Sequence, residues 1–357
     1  MKKQTINFDG KLFIIEENNN IKVQRSPEHN FIFNKKDGMH IRWGKTKQHD
    51  PDWGLPEIAD IEISEVCHGV GGLCKFCYKS NTPKGQNMTL ETFKKVFANL
   101  PASITQIAFG IGDINGNPEL FDIIRYTREN GVIPNITVNG SQVTKEVAKF
   151  FSENLGAIAV SYYDRETTYN AIKELTDAGM TQVNIHYVIK QDRYEEAFRL
   201  IQDIKTDSRL EKFNAVVFLS LKPKGRAKDN YDPLTKEQFS KLIDKCFEDN
   251  IRFGMDSCSA IKFINFVKER FEDKKVQDTI ISYVEPCEST CFSLYINVEG
   301  KFYPCSFLED EDFEGIDCTE KNLDFFKKVW QNEKVVKVRN KIINAKTCNR
   351  SCYKYEL

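Results

Sequence analysis

Three cysteines stand on one short, glycine-rich stretch, Cys67-His68-Gly69-Val70-Gly71-Gly72-Leu73-Cys74-Lys75-Phe76-Cys77-Tyr78. Three thiolates on one loop can hold three irons of a cubane and leave the fourth open to a small chelating molecule. The pair Cys74 and Cys77, two residues apart, also has the spacing of a zinc ribbon, so zinc stays open on the loop alone. A second set lies near the other end of the chain. Cys287 and Cys291 are followed by two short apolar runs that flank Glu299-Gly300, and then by Cys305. That pattern reads as a hairpin returning a third thiolate to the first two, and Cys348 with Cys352 offers a fourth; zinc is again the alternative metal. Of eleven cysteines, eight fall in these groups. In a reducing compartment such clusters point to metal rather than disulfides. Cys318 takes no role, and Cys246, inside an amphipathic helix pattern, reads as packing.

The elements that must position these groups come in three stretches. Residues 1–58 read as short strands (Lys11–Glu16, Ile21–Gln24, Phe31–Asn34, Met39–Trp43) divided by turn residues such as Asn18-Asn19-Asn20 and Lys36-Asp37-Gly38. Residues 59–280 alternate strands with helices. The expected strands are Asp60–Glu65, Thr105–Phe109, Asn135–Val138, Ala157–Ser161, Gln182–Ile189, Ala215–Leu221 and Ile251–Met255. The expected helices are Leu90–Leu100, Pro118–Asn130, Lys145–Leu155, Tyr169–Ala178, Tyr194–Ile204 and Lys236–Asp249, the last opened by the capping-box pair Thr235 and Gln238. Such alternation predicts a parallel α/β fold, a partial or full barrel or a doubly wound sheet, and the repeat number favours the barrel. Gly110-Ile111-Gly112 is no dinucleotide fingerprint: the third glycine falls on Asn115, and the strand is the second of the series. Residues 281–357 hold six cysteines and one expected helix, Leu323–Asn340, with little core of their own, which suits a metal-stapled unit.

In a parallel β/α fold the C-terminal ends of the strands carry the chemistry, and the first cysteine loop follows directly on the first barrel strand. There the sequence resembles the radical S-adenosylmethionine (SAM) superfamily, whose motif is Cys-x3-Cys-x-aromatic-Cys. Cys74-Lys75-Phe76-Cys77 matches its second half, while six residues instead of three separate Cys67 from Cys74. Four further segments keep the family's order. Gly110-Ile111-Gly112-Asp113 stands at its Gly-Gly-Glu-Pro strand end, Thr137-Val138-Asn139-Gly140 at its Thr-Asn-Gly, Val160-Ser161-Tyr162-Tyr163-Asp164 at its Val-Ser-Leu-Asp, and Pro223-Lys224-Gly225-Arg226 at its Pro-x-Gly-Arg. Val298-Glu299-Gly300-Lys301-Phe302-Tyr303-Pro304-Cys305 resembles the hairpin of the C-terminal SPASM or twitch domain of many members.

The resemblance implies a partial (β/α)6 TIM-like barrel with a small N-terminal β-rich segment and a C-terminal auxiliary-cluster domain. It implies a 4Fe–4S cluster on Cys67, Cys74 and Cys77, and SAM contacts from Phe76, Gly110, Gly112, Asp113, Asn139 and Ser161. One auxiliary 4Fe–4S cluster is expected on Cys287, Cys291, Cys305 and a cysteine from Cys348 and Cys352, with a cluster on the first three alone, its open iron binding substrate, as the alternative. Cys258, after the last barrel strand, is a candidate hydrogen-atom donor, with a small buried hydrophobe as the ordinary reading. The implied activity is reductive cleavage of SAM to a 5′-deoxyadenosyl radical, acting on a peptide or protein. A small molecule such as a nucleotide and a non-enzymatic zinc-binding module are the alternatives. An electron donor such as flavodoxin or ferredoxin is the expected protein partner. Lys plus Arg number 51 and Asp plus Glu 52, which gives no electrostatic reason for nucleic acid. No apolar run approaches the ~20 residues of a membrane span, and no secretory signal is evident, so a cytoplasmic setting is expected. His68, His186 and the acidic run Glu309-Asp310-Glu311-Asp312 are read as structural or solvated.

Overall fold

The computed structural model describes residues 2–46, 49–309 and 313–344. The chain begins with an antiparallel meander of β1 (Lys2–Phe8), β2 (Lys11–Glu17), β3 (Ile21–Arg25), β4 (Asn30–Asn34) and β5 (His40–Trp43), paired in sequence order. β1 was not among the expected strands: four of its first residues are polar and exposed, and its main-chain pairing with β2 supplies what its side chains do not.

Six strand–helix units follow: β6 (Ile58–Glu62) and α1 (Leu90–Asn99), β7 (Gln106–Gly110) and α2 (Leu120–Glu129), β8 (Ile133–Val138) and α3 (Lys145–Asn154), β9 (Ile158–Ser161) and α4 (Arg165–Asp177), β10 (Val183–Ile189) and α5 (Tyr194–Thr206), β11 (Ala215–Ser220) and α6 (Lys236–Glu248). A short seventh strand, β12 (Phe253–Met255), ends the parallel row. This is the partial barrel the alternation predicts, and the Thr235–Gln238 capping box is present. Two helices, α7 (Ala260–Arg270) and α8 (Lys274–Ile281), come after it.

The two faces of the strands differ. Ile107, Phe109, Ile185, Tyr187, Val216 and Phe218 are buried beneath the helices, Phe93 of α1 meeting Phe109 edge-on at 5.7 Å. On the inner face the same strands carry Ala108, Asn184, His186, Ala215 and Val217, all with accessible surface. Small or polar side chains leave that face hollow, unlike the packed interior of a closed barrel.

The remaining strands, β13 (Ser293–Ile296), β14 (Lys301–Tyr303) and β15 (Ile316–Asp317), extend the same sheet: β13 runs parallel to β6, and β13–β14 is the expected hairpin. The expected helix Leu323–Asn340 is broken. A π-turn over Phe326–Trp330 ends at Gln331, and Asn332 caps a new helix, α9 (Glu333–Ile343), by accepting from Lys334 N at 3.0 Å. Among the described residues no helix is long and apolar enough to cross a membrane.

Candidate active site

The loop after β6 carries Cys67, Cys74 and Cys77, all half-buried. Three neighbours fix it. Gly112 presses against its start: a Cβ there would meet Val66 O at 2.2 Å and the Cys67 Cβ at 2.5 Å, so only glycine allows the approach. Asp113, buried, accepts from His68 N and His68 Nδ1, each at 2.7 Å, and from Asn139 Nδ2 at 2.7 Å. From the far side, Arg226 donates from Nε to Cys74 O at 2.8 Å and from its terminal nitrogens to Asn81 O at 3.1 Å. Gly225 holds a φ of +56°, and a Cβ there would meet Tyr78 O at 2.4 Å.

The three thiols lie close enough to feel one another. Burial pushes Cys67 up to about 11, with Asp113, Cys74 and Cys77 adding to the shift. Burial likewise raises Cys74, against a hydrogen bond from the Tyr163 side chain and with Cys77 pushing upward. Mutually repelling, desolvated thiols stay protonated until a cation replaces the protons, which is the electrostatic character of a metal site. Among the described residues no three His, Cys, Asp or Glu side chains converge on one ion-sized point. A cubane presents a separate iron to each thiolate and asks for no such convergence. The donor set therefore fits an iron–sulfur cluster.

The other expected site residues gather at the same strand ends. Phe76 stacks on Tyr163, with ring centroids 6.1 Å apart, and lies 5.7 Å from the Arg193 guanidinium. Gly110 pairs with Glu62 across β6 and β7, and Ser161 pairs with His186 across β9 and β10. Asn139 and Asp113 share the hydrogen bond already given. Cys258 sits apart, on the turn Ser257–Ser259 after β12, at the opposite end of the parallel row from β6.

Cys287, Cys291 and Cys305 come together in a small apolar cluster with Phe292, Leu308, Val338 and Ile342. Buried thiols on a hairpin and its preceding loop suit a second cluster, and Cys348 and Cys352 lie outside the described residues. Cys318 and Cys246 are both buried in the main core.

Residues that the sequence reading left without a role complete the site. Glu309, expected in a solvated turn, is buried: Lys79 and Asn297 Nδ2 (2.9 Å) bind it. Its network includes Glu62, 2.8 Å from Lys79 and 2.9 Å from the Tyr295 hydroxyl, and burial pushes Glu62 up to about 7. Two carboxylates sharing one lysine tie the first cysteine loop to the C-terminal hairpin. Tyr163, inside a quoted motif, contacts Cys74 across 88 intervening residues, a proximity that no local spacing encodes.

No protein-family model and no curated protein matches the sequence. Solved structures do. Streptococcus suis SuiB bound to precursor peptide SuiA superposes with a TM-score of 0.66 at 12% identity, over 95% of each chain. SuiB bound to S-adenosylmethionine gives 0.60 at 13% identity, over 84% of this chain and 71% of that one. Native anSMEcpe with bound AdoMet and Cp18Cys peptide gives 0.58 at 16%, over 79% and 82%. At these identities the likeness is one of fold, and it is the fold that the resemblance implied.

Proposed function

We propose that this protein is a radical SAM enzyme that modifies a peptide or protein. The observation that carries the reading is the placement of Cys67, Cys74 and Cys77 as mutual neighbours at the C-terminal end of β6, above the hollow inner face. The fold shared with SuiB and anSMEcpe supports it, and their peptide-bound structures support a peptide as substrate.

In this reading Cys67, Cys74 and Cys77 would hold a 4Fe–4S cluster, and Cys287, Cys291 and Cys305, with a fourth ligand from Cys348 and Cys352, would hold an auxiliary one. When bound, the first cluster and SAM supply a 5′-deoxyadenosyl radical that takes a hydrogen atom from a C–H bond of the substrate. The chain's own part is positional. Arg226 and Asp113 keep the cysteine loop in place, the Phe76–Tyr163 stack walls one side of the site, and the hollow receives the substrate away from bulk water. A small electron carrier of the flavodoxin or ferredoxin kind reduces the site.

Anaerobic purification with iron, sulfide and zinc analysis tests this directly. Brown protein with about seven to eight irons per chain, the content of two cubanes, and 5′-deoxyadenosine formed from SAM under dithionite are the expected results. Cys74→Ala should abolish cleavage. A colourless protein with stoichiometric zinc after attempted cluster reconstitution would overturn the reading.

A further inference from the structure

The hollow contains a carboxylate that the chain itself does not neutralise. Asp60 lies at the middle of β6 on the inner face, with Ala108 of β7 and Tyr295 of β13 as its cross-strand neighbours. Other inner-face acids are paired: Glu62 with Lys79 at 2.8 Å, and Asp256 with Lys222. Among the described residues neither a cation nor a donor pairs with Asp60. It keeps accessible surface while burial alone pushes its carboxyl up to about 6. Both conditions fit a group on the wall of a concave space, exposed to a ligand and surrounded by protein.

The surroundings add an aromatic ring. Tyr78, which follows Cys77 directly, is close enough for its hydroxyl to be shifted by the charge of Asp60, and its ring packs on Phe307, over which the chain's own Lys222 Nζ already lies at 5.3 Å. A desolvated carboxylate beside an aromatic ring suits an alkylammonium or guanidinium. The carboxylate supplies the counter-charge, the Tyr78 ring attracts the cation, and a neutral hydroxyl or amide would leave the charge uncompensated. Position fits as well. Two strand residues, about 7 Å, separate Asp60 from the end of β6, so a side chain held there reaches up toward the cysteine loop.

We propose that Asp60 is the specificity residue of the substrate hollow and recognises a positively charged side chain of the peptide. The proposal rests on the reading of this hollow as the substrate site. The cationic group has two possible sources, a substrate side chain or the ammonium of SAM, and the test separates them.

Equilibrium dialysis of anaerobically purified full-length protein is run in the presence of SAM with two probes, Nα-acetyl-lysine methylamide and its uncharged counterpart Nα-acetyl-norleucine methylamide. The lysine amide should bind at least about ten-fold more tightly, a difference of about one decade in Kd. Asp60→Asn and Asp60→Ala should both erase that preference while SAM is retained with wild-type affinity, and circular dichroism melts confirm that each variant is folded. Equal binding of the two amides to the wild type, or a preference that survives in both folded variants, overturns the proposal. Weakened SAM binding in Asp60→Asn overturns it too, by giving the carboxylate to SAM. Wild-type protein that selects the lysine amide but holds no iron would instead sink the radical reading and leave the cation site standing.

Discussion

Asp113 stands where the family resemblance places a contact to SAM, and in this chain its two oxygens already serve the fold. One accepts twice from His68 and the other accepts from Asn139, so the carboxylate clasps the start of the cysteine loop to the end of β8. Asp113→Ala would leave the buried Asn139 Nδ2 with Gly112 O as its one acceptor among the described residues, at 3.4 Å. A charge-assisted hydrogen bond lost in a buried site costs about 2 kcal/mol. The variant should therefore unfold at lower denaturant and retain less iron at the first site, as metal analysis would register. Asp113→Asn keeps acceptor capacity on one oxygen only and should fall between. Asp60 makes the opposite prediction. An acid whose folded-state pKa is raised binds its proton more tightly when folded; its contribution is whole below 3.8 and is lost as pH climbs through about 6. Asp60→Asn should thus melt higher than wild type at pH 8, with the gap closing below pH ~4. Melts at a series of pH values decide it, and a gap independent of pH would show that Asp60 is not desolvated.

At the scale of elements, α9 matters to the second cysteine group through one residue. Arg339 is buried, its guanidinium flanked by Trp53 at 4.6 Å and Trp330 at 4.7 Å. It donates to Thr290 O at 2.6 Å and to Trp330 O at 2.9 Å, pinning the residue that precedes Cys291. Arg339→Ala removes two charged donors from buried carbonyls and should destabilise the C-terminal unit by about 3 kcal/mol. Arg339→Lys should rescue little, because one ammonium cannot reach two carbonyls in a fixed fork. Iron falling by about four per chain, one cubane, with SAM cleavage retained, is the expected result. Loss of all iron would show that α9 supports the whole fold instead. The periodicity of 323–340 announced this helix but not its interruption. At the break Trp330 seats its indole N–H on Gly54 O at 2.9 Å, a contact across 276 positions that no local periodicity encodes. α8 is a weaker signal: its apolar residues are only Val276, Ile280 and Ile281, and none of them is fully buried. α7 carries a stripe in Phe263, Phe266 and Val267, whose helical spacing is legible in the sequence.

On the scale of the whole molecule, β6 is the member on which the three stretches of chain converge. The barrel continues from one side of it through β7, and the C-terminal hairpin continues from the other through β13. The cysteine spacings made both thiol groups legible in the sequence, because ligand sets on loops and hairpins are local. The tie between them was not: Lys79 meets Glu309, and Arg42 bridges Glu57 at 3.1 Å and Glu288 at 2.9 Å, pairings that only the assembled sheet creates. Glu57 is the centre of that second tie. It is fully buried where the chain enters β6, and it binds His29 and Arg42 from the N-terminal meander, with His40 Nε2 3.3 Å away. Burial works to raise its pKa, but the Arg42 charge and the His29 hydrogen bond outweigh it and bring the carboxyl down to about 2. An acid depressed in this way contributes stability that is whole above the ordinary value of 4.5 and is lost as pH falls through about 2. Glu57→Gln leaves Arg42 and the histidines without their central counter-charge, a loss on the order of 3 kcal/mol for a broken buried pair. The variant should therefore be much less stable than wild type in urea at pH 7, and the difference should shrink steadily between pH 4.5 and 2. A constant gap across that range would mean that the meander is held to the barrel by packing, Phe8 on Trp53 and Phe326 among its contacts, rather than by charge.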